Sequence, residues 1–160
     1  MSDETNAQLV GQTRLIVGAM CAGVIVMIGV AAFIVRGVQG NPEPGGNLIS
    51  IVLAFISLVQ ASGILWAAGK IGDFLPAENG ELAPGDEQER LRGLFRTQVI
   101  VRSAACEGAA MMNVVAYLVE RNTWSLAVAG IFLFVLISIL PTEYRLDMFL
   151  ENNSSHDVPR

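Results

Sequence analysis

Glu107 is the residue of this chain best placed to do chemistry, because it is a carboxyl group near the middle of an apolar run, residues 99–119. A run of that length can cross a bilayer as a helix. An ionised side chain at the bilayer centre costs at least roughly 3 kcal/mol, so such carboxyl groups tend to be neutral, paired or functional. Glu107 is therefore the leading candidate for a site that binds and releases a proton.

Three polar residues are candidates to act with Glu107. Ser103 lies one helical turn before it, on a face rich in small residues, so we expect the carboxyl group to point toward neighbouring protein rather than lipid. Gln60, in another apolar run, lies about 12 Å from the cytoplasmic end of its helix, against about 15 Å for Glu107, at 1.5 Å per residue. Burial favours the neutral acid, to which Gln60 could hydrogen-bond.

Arg102 is the nearest cation in the sequence, and we assign it a role as an electrostatic modulator of the acid. Five residues separate it from Glu107, which corresponds to roughly 140° of helical rotation. A direct pair within one helix is therefore disfavoured, and we expect the guanidinium group to snorkel toward the headgroups. A buried pair with Glu107 remains the alternative.

Other kinds of chemistry find little support in the sequence. Cys21 and Cys106 both lie in apolar runs, where a thiol behaves as a small hydrophobic group. His156, the only histidine, has no second metal ligand nearby, and metal sites usually need three or four. Paired acids and Ser/His constellations are also missing from the apolar runs. We expect no enzyme, no cofactor and no metal.

Composition predicts the elements that must position Glu107. Of 160 residues 52% are hydrophobic, more than a soluble domain needs for its core. Four apolar runs, residues 15–35, 48–68, 99–119 and 124–140, approach the roughly 20 residues that span a bilayer. We predict an all-α, single-domain integral membrane protein with four transmembrane helices in an antiparallel up-down bundle. The net charge of -5 argues against a nucleic-acid partner.

Basic residues predict the topology. They concentrate in the amino terminus, the middle loop and the tail, whereas the other two loops hold only Arg36 and Arg121. Because Lys and Arg stay on the cytoplasmic side, both termini should be cytoplasmic in a multi-pass inner-membrane protein. Asp86 with Glu89 resembles a capping box in the cytoplasmic loop, residues 71–96, and predicts a third helix that extends unbroken from the cytoplasm into the membrane. The tail, residues 142–160, would begin as a short amphipathic helix or be only partly ordered.

Two short motifs suggest a family. Arg96-Thr97-Gln98 precedes the acid at Glu107, and residues 66–70 read Trp-Ala-Ala-Gly-Lys. With them, residues 60–119 resemble the c-type proteolipid subunits of rotary ATP synthases, which form rings of helical hairpins around a membrane carboxylate. The resemblance implies that Glu107 takes up and releases a proton during rotation. Sodium-carrying members have Ser or Thr directly after the carboxylate, so Gly108 favours a proton.

Two functions follow from these observations. The first is a structural or accessory role in a membrane complex, with a protonated Glu107 joining helices by hydrogen bonds. The second is a proteolipid-like, proton-exchanging subunit that uses Glu107, with Gln60 and Ser103 as hydrogen-bonding neighbours. The expected partners are the lipid bilayer and either further copies of the chain or other membrane subunits.

Overall fold

The computed structural model describes residues 2–37, 47–70 and 84–154, and within these ranges the chain is helical with no strand. The predicted all-α class is thus confirmed. In chain order the helices are α1 (Ser2–Gly37), α2 (Leu48–Gly69), α3 (Pro84–Glu120), α4 (Thr123–Ser138) and α5 (Glu143–Ser154). Residues 71–83 of the predicted cytoplasmic loop, and His156, lie outside the described residues.

Three helical segments are long and apolar enough to cross a membrane, namely Asn6–Gly37, Leu48–Gly69 and Glu87–Glu120. The fourth predicted span is shorter than expected. Its helix α4 has 16 residues, because the chain reaches Pro141, which cannot continue a helix. Helix α5 follows at an angle of 68°, and only the bent pair of α4 and α5 gives a fourth candidate span.

Helix α3 is the centre of the fold. Helices α1, α2 and α4 all pack against it, whereas no Cα atom of α1 lies within 8 Å of one of α2 over the residues described. Ala109 and Ala110 on α3 are buried among Val17, Val24 and Leu136, and such small residues let helix backbones approach closely. Ala104 and Val115 on α3 are exposed, so one face of this helix is not covered by the other described helices.

The amino-terminal part of α3 continues well beyond the apolar run and packs against α5. The helix begins at Pro84, slightly before the predicted capping box, and proline is favoured in a first helical turn. Its Phe95 ring lies 5.5 Å from that of Phe149 on α5, beside the fully buried Leu146. The unbroken third helix is confirmed, and the start of the tail is helical rather than irregular.

Candidate functional site

Glu107 is half-buried on the side of α3 that faces α1. Its Oε1 atom lies 3.6 Å from the position that a β-carbon on Gly23 of α1 would occupy. The carboxyl group therefore points toward neighbouring protein, and the missing side chain of Gly23 leaves room for it. A small substituent at position 23 would touch the carboxyl group at ordinary van der Waals distance.

In the part of the chain that the structure describes, the Glu107 carboxyl group interacts electrostatically with Cys21 of α1. It takes part in no hydrogen bond or ion pair there. Ser103, one turn earlier, is fully buried, and its Oγ atom also lacks a hydrogen-bond partner. A buried polar group without a partner typically costs about 1–3 kcal/mol. Glu107 and Ser103 are thus two neighbouring polar residues of α3 with unused hydrogen-bonding capacity.

Arg102 is half-buried and turns away from Glu107 toward α2. Its Nη2 atom lies 3.5 Å from the position of a β-carbon on Gly69, the last residue of α2. The carboxyl end of a helix carries a partial negative charge, which favours a cation there. Reaching along α2 to its end is the behaviour expected of a snorkelling arginine rather than of a partner for Glu107.

Gln60 lies apart from the other three candidate residues. Its side chain is exposed on α2, whereas Glu107 faces α1, and no Cα atoms of these two helices come within 8 Å of each other in the described ranges. The hydrogen bond from Gln60 to Glu107 is not formed. The structure therefore brings Ser103 close to Glu107 and leaves both Gln60 and Arg102 elsewhere.

A polar pair that the sequence analysis missed joins α2 to α3. Asn113 is fully buried, and its Nδ2 atom donates to Ser57 Oγ at 2.9 Å and to the Ala109 carbonyl at 2.8 Å. The Ser57 hydroxyl donates in turn to the Ala54 carbonyl at 2.9 Å. The Asn113 Oδ1 atom is buried without a partner. The signal in the sequence that could have indicated this pair is Asn113 itself, an amide side chain within the otherwise apolar run of residues 99–119.

Glu120, at the end of α3, caps the start of α2. Its Oε1 and Oε2 atoms accept from the backbone N–H groups of Ile49 at 2.7 Å and Ser50 at 2.8 Å. These are among the N–H groups that a helix cannot satisfy internally. A second contact at this end links the side chains of Asn122 and Asn47 at 2.9 Å. The contacts fix α2 and α3 as antiparallel neighbours.

The surroundings of Glu120 also affect its charge. The Ser50 hydroxyl, followed by the backbone N–H groups of Ser50 and Ile49, holds the pKa of the Glu120 carboxyl group below its ordinary value. The hydroxyl approaches without completing a hydrogen bond, so the two N–H donors are the bonds that hold the carboxylate. Glu120 follows the apolar run, residues 99–119, and thus lies just beyond the predicted span.

The arrangement pairs α2 with α3 through Asn113 and Ser57 and leaves the Glu107 carboxyl group facing Gly23 of α1. Within residues 2–37, 47–70 and 84–154, no group of three or more His, Cys, Asp or Glu side chains is placed to hold a metal ion. Comparison with models of protein families, with curated proteins and with solved structures yields no match to this chain.

Proposed function

We propose that this chain is a small multi-pass membrane protein with a structural or accessory role in a membrane complex, and that Glu107 is its protonatable carboxyl group. The observation that carries the structural role is the central position of α3, on which three apolar helices pack. The proposed architecture has four spans in an antiparallel up-down bundle, the fourth formed by α4 and its bend into α5.

In the proposed orientation the protein lies in the inner membrane, with both termini on the cytoplasmic side. Arg14 Nε on α1 donates to the Pro141 carbonyl at 2.7 Å, and Arg145 on α5 donates to the Ser138 carbonyl at 2.8 Å. The start of α1 and the end of α4 thus share one end of the bundle with several basic residues. Basic residues next to spans favour the cytoplasmic side.

A second function, proton exchange at Glu107, is favoured by a separate observation. A glutamate that joins helices needs hydrogen-bond partners, yet this carboxyl group has none within the described chain, while Asn113 and Ser57 already join α2 to α3. A carboxyl group without fixed partners can change its protonation state without breaking the bundle. The resemblance to proteolipid subunits points the same way, with Ser103 as the neighbouring hydroxyl.

The substitution Glu107→Gln separates the two functions. The purified protein is reconstituted into vesicles that contain a pH-sensitive dye, and proton entry is driven by a potassium diffusion potential. Proton exchange predicts entry with the natural chain and none with Glu107→Gln, while the mass of the assembly is unchanged. A purely structural role predicts no entry in either case, with both proteins forming the same complex.

Two controls make the comparison sharper. Gln60→Leu changes an exposed residue that does not contact Glu107, so it should leave proton entry and assembly as they are. A hydrophobic carbodiimide should label Glu107 in the natural chain and not in Glu107→Gln. Native mass spectrometry of the extracted protein then gives the subunit count. A monomer without bound subunits would contradict the accessory role, and a ring of copies would favour the rotor-like one.

A further inference from the structure

An apolar groove runs along the membrane-facing side of the molecule between α2 and α4. Both helices pack on α3, but they have few contacts with each other, and the space between them has a volume of about 540 Å³. Phe55 and Leu58 form one wall, Trp124 and Ile131 form the other, and Cys106 of α3 lies at the floor. Of the side chains that line the groove, only Ser62 carries a hydroxyl group.

The length of the groove matches the depth of one leaflet. Its lining extends from Ala54 to Leu65 on α2 and from Trp124 to Val135 on α4. Eleven residue steps on each helix correspond to about 16 Å, and half of a hydrocarbon core is about 15 Å. Trp124 begins α4 at the end of the bundle where Asn122 and Asn47 meet, and tryptophan favours the headgroup level.

The side chains of the walls decide between a lipid chain and another helix as the occupant. Membrane helices pack closely where small residues line the contact. This groove is instead walled by large side chains, which keep another helix backbone at a distance: Phe55, Leu58, Trp124 and Ile131. A single extended hydrocarbon chain is narrow enough to lie along it, and a nearly all-apolar lining is what such a chain requires.

We propose that the groove between α2 and α4 binds one acyl chain of a membrane phospholipid, with the headgroup near Trp124 in the leaflet opposite the cytoplasm. This inference rests on the membrane insertion proposed above. The acyl chain would fill the space that α2 and α4 leave over Cys106, so that the bound lipid forms part of the packed structure. It would exchange more slowly than the lipids around exposed side chains such as Trp66.

A bulky side chain in the groove provides the test. Ser62→Phe places a ring in the groove from an exposed position of its wall, and Ala67→Phe places the same ring at an exposed position of α2 outside the lining. Native mass spectrometry should find one phospholipid retained by the natural chain and by Ala67→Phe. Ser62→Phe should retain about tenfold less, as expected for the loss of a well-buried apolar group.

Fluorescence gives a second measurement, because the chain has two tryptophans. With Trp66→Phe, the remaining Trp124 should be quenched by a phospholipid brominated in its acyl chain, and adding Ser62→Phe should remove most of that quenching. Equal lipid retention and equal quenching with and without Ser62→Phe would overturn the proposal, and so would a dimer that Ser62→Phe dissociates. Absence of quenching in the natural chain, which keeps both tryptophans, would instead contradict membrane insertion, and with it the proposed function.

Discussion

The two interfaces of α3 differ in how their polar groups are satisfied. Toward α2, Asn113 donates to Ser57 and Glu120 accepts from the start of the helix. Glu107, which faces α1, and the neighbouring Ser103 have no hydrogen-bond partner among the described residues. Paired groups hold helices in register, whereas unpaired ones are costly and are retained where function needs them. We therefore propose a structural role for the α2 interface and a functional role for the α1 interface.

The largest effect is expected from filling the space that faces Glu107. Gly23→Leu should overpack the α1–α3 boundary and lower the free energy of unfolding by about 1–3 kcal/mol. It should also shield the carboxyl group and slow carbodiimide labelling. The control is Gly18→Leu, because a β-carbon on Gly18 has no atom within 4 Å. Unfolding is followed by the loss of helicity in mixed micelles. Equal destabilisation by both substitutions would show that Gly23 is no more tightly packed than Gly18.

The paired interface should show energetic coupling. In a double-mutant cycle of Asn113→Ala and Ser57→Ala, we expect a coupling free energy of about 0.6 kcal/mol and at most about 1.7 kcal/mol, the range measured for hydrogen bonds between membrane helices. The same cycle between Glu107→Ala and Ser103→Ala should give a value near zero, since these side chains do not bond. If the coupling free energy between Glu107 and Ser103 equalled that between Asn113 and Ser57, the two interfaces would not differ in the way described.

Removal of the Ser57 hydroxyl group and removal of the Ser103 hydroxyl group should affect the free energy of unfolding differently. Ser57→Ala leaves the Asn113 amide without one of its acceptors and should destabilise the fold by roughly 0.5–1.5 kcal/mol. Ser103→Ala removes a buried hydroxyl that has no partner in the structure, so it should be neutral or slightly stabilising. The comparison is made by unfolding both variants under identical conditions. Clear destabilisation by Ser103→Ala would mean that its hydroxyl has a partner, such as a buried water molecule.

Hydropathy predicted the helices well because it reports which segments avoid water. The predicted run 48–68 nearly coincides with α2, and the long third helix was anticipated from Asp86 and Glu89. Hydropathy predicted the ends of α1 and α4 less well. Polar residues such as Ser2 can still be helical, and Pro141 stops α4 early. Helix bounds depend on local chemistry as well as on apolarity.

The partners of Glu107 could not be predicted in the same way. Gln60 and Ser57 are three residues apart on α2, a rotation of about 60° from a full turn. That rotation decides which of them faces α3, and it is fixed by packing of the whole bundle rather than by the sequence of α2. Neither the exposure of Gln60 nor the pairing of Asn113 with Ser57 could therefore be read from single helices.

The smallest effect concerns the surface end of the paired interface. Because the pKa of Glu120 is lowered in the folded protein, its contribution to stability is present above the unfolded pKa of about 4.3 and is lost as the pH falls through the folded value. The stability difference between the natural chain and Glu120→Gln should thus be constant from pH 7 to about pH 5 and shrink in more acidic solution. Unfolding at a series of pH values measures it. A difference that grew on acidification would contradict the capping role, and Asp147→Asn, at an exposed position of α5, is the control for the loss of one acidic charge.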